Sequence, residues 1–176
     1  MEQPRTDEIP PNGHDVESRV RDEVARGGVS PDRATRFYDR IRTSIHEFTE
    51  GKRVVGKTAD YLMLVPDIFM LLWRLATDSR VAGKDKILLG SAVAYFILPF
   101  DLIPEAIVGP IGYLDDLVFA VYVLNKILTS TDISILRQHW SGSGDVLETI
   151  QRVLRTADTL VETNVASRLK KMLKRS

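Results

Sequence analysis

Four carboxylates interrupt the most apolar part of the sequence, YFILPFDLIPEAIVGPIGYLDDL at residues 95–117: Asp101, Glu105, Asp115 and Asp116. Carboxylate oxygens are hard ligands, so two converging turns that bring them together could bind Mg²⁺ or Ca²⁺. Paired carboxylates also catalyse glycoside hydrolysis, but this stretch offers few polar residues to hold a sugar. A cation site is therefore the sharper chemical hypothesis, and no reaction is identified.

The interpretation that we favour is that the acids cap helices. Asp101 can accept hydrogen bonds from the free amides of a helix that begins at LIPE, with Pro104 in its first turn and Glu105 near the positive end of its dipole. Asp115 can cap the segment DLVFAVYVLNKIL, and Asp116 lies in its first turn. Such caps satisfy amides that neither lipid nor a protein core could.

A third interpretation pairs the acids with basic residues that precede them. These ion pairs would fasten the stretch to the preceding helix and loop. The candidate partners are Arg74, Arg80, Lys84 and Lys86.

Composition excludes several classes of function. The 24 basic and 24 acidic residues cancel, so no global charge attracts nucleic acid. The absence of cysteine excludes disulfides, thiolate catalysis and cysteine-ligated zinc. His14, His46 and His139 are widely separated and have no metal-ligand spacing. The first 15 residues are polar and do not form a signal peptide, so any membrane insertion must use internal segments.

The first two regions of the chain are polar or amphipathic. Residues 1–29 are predicted to be mostly flexible. Residues 30–60 contain an amphipathic helix with Ser30 as N-cap, Pro31 in its first turn and Gly51 as its stop, followed by a connector. Its apolar stripe is Ala34, Phe37, Tyr38, Ile41, Ile45 and Phe48.

Residues 61–130 are apolar on nearly every side. Pro66 and Asp67 predict a helix start inside YLMLVPDIFMLLWRLA. The uncharged run ILLGSAVAYFILPF has about 14 residues and reaches roughly 21 Å, short of the roughly 30 Å hydrocarbon core. It reaches a spanning length only if Asp101 is included. The aromatic residues of this region could lie at a membrane interface or pack in a core; they are Tyr61, Trp73, Tyr95, Tyr113 and Tyr122.

Residues 131–176 return to amphipathic patterning. Asp145 can cap a long helix whose apolar stripe begins at Val146. The end of this helix is basic, and its cations would be attracted to anionic headgroups at a membrane surface. They are Arg168, Lys170, Lys171, Lys174 and Arg175.

Two ordered motifs carry a resemblance to a known family. Tyr95, Pro99, Asp101, Leu102, Ile103 and Pro104 fit a YxxxPxDLIPD pattern, and Gly112, Tyr113, Leu114, Asp115 and Asp116 fit a GYLDD pattern. Glu105 replaces the usual aspartate of the first motif. With these motifs, residues 78–124 resemble the YkvA-like family, the domain of unknown function 1232. The resemblance implies a multi-pass membrane or membrane-associated protein with no established reaction. A ubiquitin-ligase role, found with this domain in some eukaryotic proteins, does not carry over because the chain has no cysteine-rich RING segment.

We therefore predict an all-α helical bundle with a central hydrophobic helix hairpin, either embedded in the membrane or buried in the core, and amphipathic flanking helices. The predicted function is a non-enzymatic, membrane-associated scaffold or interaction role with its flanking regions in the cytoplasm. Membrane lipid is the expected partner, with a protein partner or self-association as a further option. No cofactor is expected. The alternative is a soluble helical domain that binds a divalent cation through the acidic cluster and has hydrolytic activity.

Overall fold

The computed structural model describes residue 22 and residues 28–51, 56–102 and 113–157, without the side chains at 98–102, 113 and 115. The described residues form helices and no strand, which confirms the all-α prediction. The helices are α1 (Pro31–Glu50), α2 (Lys57–Thr77), α3 (Gly83–Leu102), α4 (Tyr113–Ile127), α5 (Ile133–His139) and α6, which is described over 146–157.

Helix α1 begins and ends at the residues that the sequence predicts. The Ser30 hydroxyl accepts a hydrogen bond from the Arg33 amide at 3.4 Å, and Pro31 is the first helical residue. The Gly51 amide donates to the Glu47 carbonyl at 3.1 Å where the helix ends. The predicted stripe faces the core, with Ala34, Phe37, Ile41 and Ile45 buried.

Helix α2 is continuous through Pro66, so the predicted helix start at that residue is wrong. A proline inside a helix cannot donate to the carbonyl four residues earlier, here that of Leu62, and such a position typically costs about 3 kcal/mol. Apolar side chains are buried on both sides of the proline, and their packing outweighs this cost. They are Tyr61, Leu62, Val65, Ile68 and Phe69.

The core is built around α2. This helix contacts α1, α3, α4 and α5, and α3 also contacts α4. The Phe69 ring lies 4.6 Å from that of Phe37 in α1 and 5.8 Å from that of Phe96 in α3, measured between centroids. The sequence predicts a central hydrophobic hairpin within residues 61–130. In the structure, the central element is the single helix α2, and α3 and α4 pack on it.

The connection between α3 and α4, residues 103–112, lies outside the described residues. In the described part of the chain, no helix combines the length and the apolar character that crossing a membrane requires. The transmembrane and multi-pass predictions are therefore not supported there.

Helix α6 is capped as predicted. The Asp145 carboxylate accepts hydrogen bonds from the amides of Leu147, at 2.9 Å, and Glu148, at 3.2 Å. The Thr156 hydroxyl donates to the Tyr61 hydroxyl of α2 at 2.9 Å. The described part of the apolar stripe is buried, at Val146, Ile150, Val153 and Ala157. The basic tail from Arg168 to Arg175 lies outside the described residues.

Candidate functional site

The predicted acidic motif is only partly within the described chain. Asp101 lies in the last turn of α3, and Asp115 and Asp116 lie inside α4. Because α4 already includes Tyr113, it begins before the start that was predicted at Asp115. The remaining motif residues, Pro104, Glu105 and Gly112, lie outside the described residues. The capping roles of the motif stay predictions.

The predicted cation site is likewise only partly within the described residues. Across residues 28–51, 56–102 and 113–157, no three histidine, aspartate or glutamate side chains are grouped so that they could hold a metal ion. The convergence proposed for the acids requires Glu105 and the side chains of Asp101 and Asp115, which are not described. The divalent-cation alternative therefore stays a prediction.

Two of the predicted charge partners have other partners in the structure. Arg80 binds Asp78 through two hydrogen bonds, Nη2 to Oδ2 at 2.7 Å and Nε to Oδ1 at 3.1 Å. Arg74 donates from Nη1 to the His139 carbonyl at 2.8 Å. Lys84 is exposed and Lys86 is half-buried, and neither forms an ion pair with another described residue.

Asp78 is the centre of a polar junction between the α2–α3 turn and the end of α5. The His139 Nε2 atom lies 2.6 Å from Asp78 Oδ2, and Arg80 Nη1 donates to Gln138 Oε1 at 2.8 Å. The hydrogen bonds from the Arg80 side chain and from His139 hold the pKa of Asp78 well below its usual range. This junction connects the end of α5 to the α2–α3 turn.

Sequence reasoning missed this junction. Asp78 and His139 are 61 positions apart in the chain. Only the pair of Asp78 and Arg80 could have been found from the sequence, because these two residues are two positions apart.

The clearest surface feature is an apolar face on α3 and α4. Among the described side chains of these helices, most large apolar ones are buried, but four are substantially exposed: Ile87 at 60%, Tyr95 at 41%, Phe119 at 43% and Tyr122 at 54%. The Tyr95 and Phe119 rings contact each other across the two helices, with centroids 5.5 Å apart. We call these four residues the α3–α4 face.

Two contacts fix how the helices are aligned. The Ser130 hydroxyl donates to the buried carboxylate of Asp85 at 2.6 Å, so the start of α3 lies beside the end of α4. The contact of Tyr95 with Phe119 lies later in α3 but earlier in α4. The helices are therefore antiparallel.

This alignment places two lysines at one end of the α3–α4 face. Lys84 precedes Ile87 by three residues, and Lys126 follows Tyr122 by four, so each lies on the same side of its helix as the apolar residue. Both lysines are exposed. The face thus carries four exposed apolar or aromatic side chains, with two lysines at one end.

Scattered exposed apolar side chains are normal on protein surfaces, whereas grouped ones indicate an interaction site. Of the aromatic residues that the sequence offers for a membrane interface, Tyr61 is buried, and Trp73 is half-buried and donates to the Val29 carbonyl at 3.1 Å. Tyr95 and Tyr122 are exposed, and the side chain of Tyr113 lies outside the described part of the structure. Phe119 and Ile87 were missed because their exposure depends on packing.

The family comparison points to the same segment. Residues 85–122 match the family model described as "Protein of unknown function (DUF1232)", which confirms the resemblance predicted from the two motifs. The chain is also similar to "Uncharacterized protein ORF9" from Methanothermobacter thermautotrophicus, with 28% identity over 87 residues. That alignment covers 49% of this chain and 60% of the relative, so the chain spans about three fifths of the relative's length. No solved structure matches the chain.

Proposed function

We propose that this chain, in which residues 85–122 are the DUF1232 segment, is a non-enzymatic helical protein that binds a membrane surface through the α3–α4 face. The observation that carries the proposal is the exposure of Ile87, Tyr95, Phe119 and Tyr122 on two adjacent helices, with the Tyr95 and Phe119 rings in contact. All four residues lie within the segment that matches the family model.

The chemistry of the face suits the boundary between lipid headgroups and acyl chains. Tyrosine has an apolar ring and a polar hydroxyl, and it is enriched where a protein meets that boundary. Phe119 and Ile87 would enter the apolar layer, while Lys84 and Lys126 would contact lipid phosphates. The buried sides of α3 and α4 stay packed on α2, so binding needs no unfolding of the core.

The basic tail from Arg168 to Arg175 is a second proposed contact. Each cation near an anionic membrane surface contributes about 1 kcal/mol of attraction, which salt weakens. The tail would therefore strengthen binding to anionic lipid at low ionic strength and would leave the apolar contribution of the α3–α4 face unchanged.

Co-sedimentation with vesicles tests the proposal. The full chain is mixed with phosphatidylcholine vesicles, with and without phosphatidylserine, and compared with the double variant Phe119→Gln/Tyr122→Gln. Glutamine keeps helix propensity while removing the apolar contact. Each ring is about half exposed, so the double variant should bind on the order of tenfold more weakly to both kinds of vesicle.

Met63→Gln is the matched control. Met63 is also apolar and 50% exposed, but it lies on α2, four residues before Asp67, on the side that faces Ser141. This variant should bind vesicles as the unaltered chain does. Equal binding by the double variant and the unaltered chain would refute the α3–α4 face as the contact, and no vesicle binding by the unaltered chain would refute the membrane role itself.

A further inference from the structure

A cavity of about 210 Å³ lies between the C-terminal half of α2 and the N-terminal half of α3. Its walls include Trp73 from α2, Ile87 and Val93 from α3, and Val29 from the segment before α1. The Trp73 indole donates to the Val29 carbonyl at 3.1 Å, which holds one wall in place. An engineered apolar cavity of about 150 Å³ is large enough to bind benzene, so this volume can hold a short apolar group.

One charged side chain lines this apolar cavity. Of the described residues around it, Lys86 alone carries a charge, and it forms no ion pair with another described residue. Lys86 is half-buried and the neighbouring Ile87 is 60% exposed, so these two residues lie where the cavity meets solvent. A ligand that fits this charge has an anionic group at the opening and an apolar part inside.

Gly90 lines the cavity without a side chain. It lies inside α3 and lines the cavity, and a Cβ atom placed on it would meet no other atom within 4 Å. Packing therefore does not require glycine at this position. Glycine inside a helix is typically less stable than alanine by about 0.5–1 kcal/mol, so the residue lowers helix stability and leaves a space that a side chain would fill.

We propose that this cavity binds a short aliphatic carboxylate, with the alkyl chain between α2 and α3 and the carboxylate paired with Lys86. The apolar walls contribute the hydrophobic part of the affinity, and the single lysine selects the anion over a neutral or cationic head of the same length. The site shares Ile87 with the α3–α4 face but includes neither Tyr95 nor Phe119, so ligand binding in the cavity can be tested apart from membrane binding.

Isothermal titration calorimetry of the full chain with octanoate, well below the concentration at which octanoate forms micelles, tests the proposal. Octanol and octylamine are titrated in parallel as the neutral and cationic ligands of equal chain length. We expect saturable binding of octanoate with one site per chain, weaker binding of octanol, and no measurable binding of octylamine.

Two variants assign the site, and one serves as a control. Gly90→Leu fills the cavity with a good helix former and should weaken both octanoate and octanol by at least about tenfold. Lys86→Gln should weaken octanoate by about fivefold and leave octanol unchanged. Lys84→Gln removes a nearby lysine that does not line the cavity and should change neither.

Three results would overturn the proposal. The first is the absence of saturable octanoate binding by the unaltered chain. The second is unchanged octanoate affinity in Gly90→Leu, provided that circular dichroism shows the variant to be folded. The third is equal affinity of Lys86→Gln for octanoate, which would mean that the carboxylate is not recognised.

Discussion

Replacing Phe69 by alanine tests whether α2 is the centre of the core. Phe69 is fully buried, and its ring contacts Phe37 at 4.6 Å and Phe96 at 5.8 Å, so one side chain joins α1, α2 and α3. Truncating a buried phenylalanine typically costs about 3–5 kcal/mol of the free energy of unfolding, and each aromatic pair contributes about 0.5–1.5 kcal/mol beyond the buried area. Because Phe69 forms both pairs, we expect a loss of about 4–5 kcal/mol.

Urea denaturation followed by far-ultraviolet circular dichroism measures this loss. Phe119→Ala is the matched control, because the chemical change is the same but the side chain is 43% exposed and its ring contact is with Tyr95. The control should cost about 1 kcal/mol. A cost below about 2 kcal/mol for Phe69→Ala, or equal costs for the two variants, would refute the central position of α2.

Three further substitutions test the electrostatics and the helix interior. Hydrogen bonds from Arg80 and His139 hold the pKa of Asp78 below its value in the unfolded chain. The ionised carboxylate therefore stabilises the fold at any pH above the unfolded pKa. This stabilisation is lost as the pH falls toward the folded pKa. Asp78→Asn should lower stability at neutral pH and reduce the loss on acidification, as measured by urea denaturation across a pH series. Burial raises the pKa of Asp67 despite a hydrogen bond from Ser141, so protonation of this carboxyl at low pH favours the folded state. Asp67→Asn removes this effect and should make the free energy of unfolding fall more steeply on acidification. Gly90→Ala should raise the free energy of unfolding by about 0.5–1 kcal/mol, since its Cβ meets open space; a destabilised variant would contradict the open cavity.

The features that could be predicted from the sequence are those that short-range chemistry determines. Ser30 and Asp145 are capping residues placed directly before apolar helical stripes, and the structure shows both side chains accepting amide hydrogen bonds at those helix starts. The motifs around Tyr95 and Asp116 predict the resemblance to the family whose model matches residues 85–122, because their residue order is specific. None of this required knowledge of tertiary contacts.

The features that could not be predicted depend on partners far along the chain. Pro66 is a local signal for a helix start, and only the packing of α2 against four other helices overrides it. Asp78 and its partner His139 are 61 positions apart, so no local pattern pairs them. Local sequence patterns do not encode which of several available charges will meet.

The sequence of helix α3 is compatible with two environments, lipid and a protein core. Its residues are apolar on nearly every side, a pattern that fits lipid or a protein core equally well. In the structure, Leu89 and Phe96 face the core, Tyr95 lies on the α3–α4 face, and Gly90 lines the cavity beside α2. One side of this helix is thus buried in the core, another lines the cavity, and a third carries the exposed α3–α4 face.

The two proposed sites share one residue of this helix. Ile87 both lines the cavity and lies on the α3–α4 face, so a substitution there would disturb carboxylate binding and membrane binding together. Gly90 lines only the cavity, and Phe119 lies only on the face. A loss of octanoate binding in Gly90→Leu and a loss of vesicle binding in the Phe119 variant therefore report on separate surfaces, and either proposal can fail while the other holds.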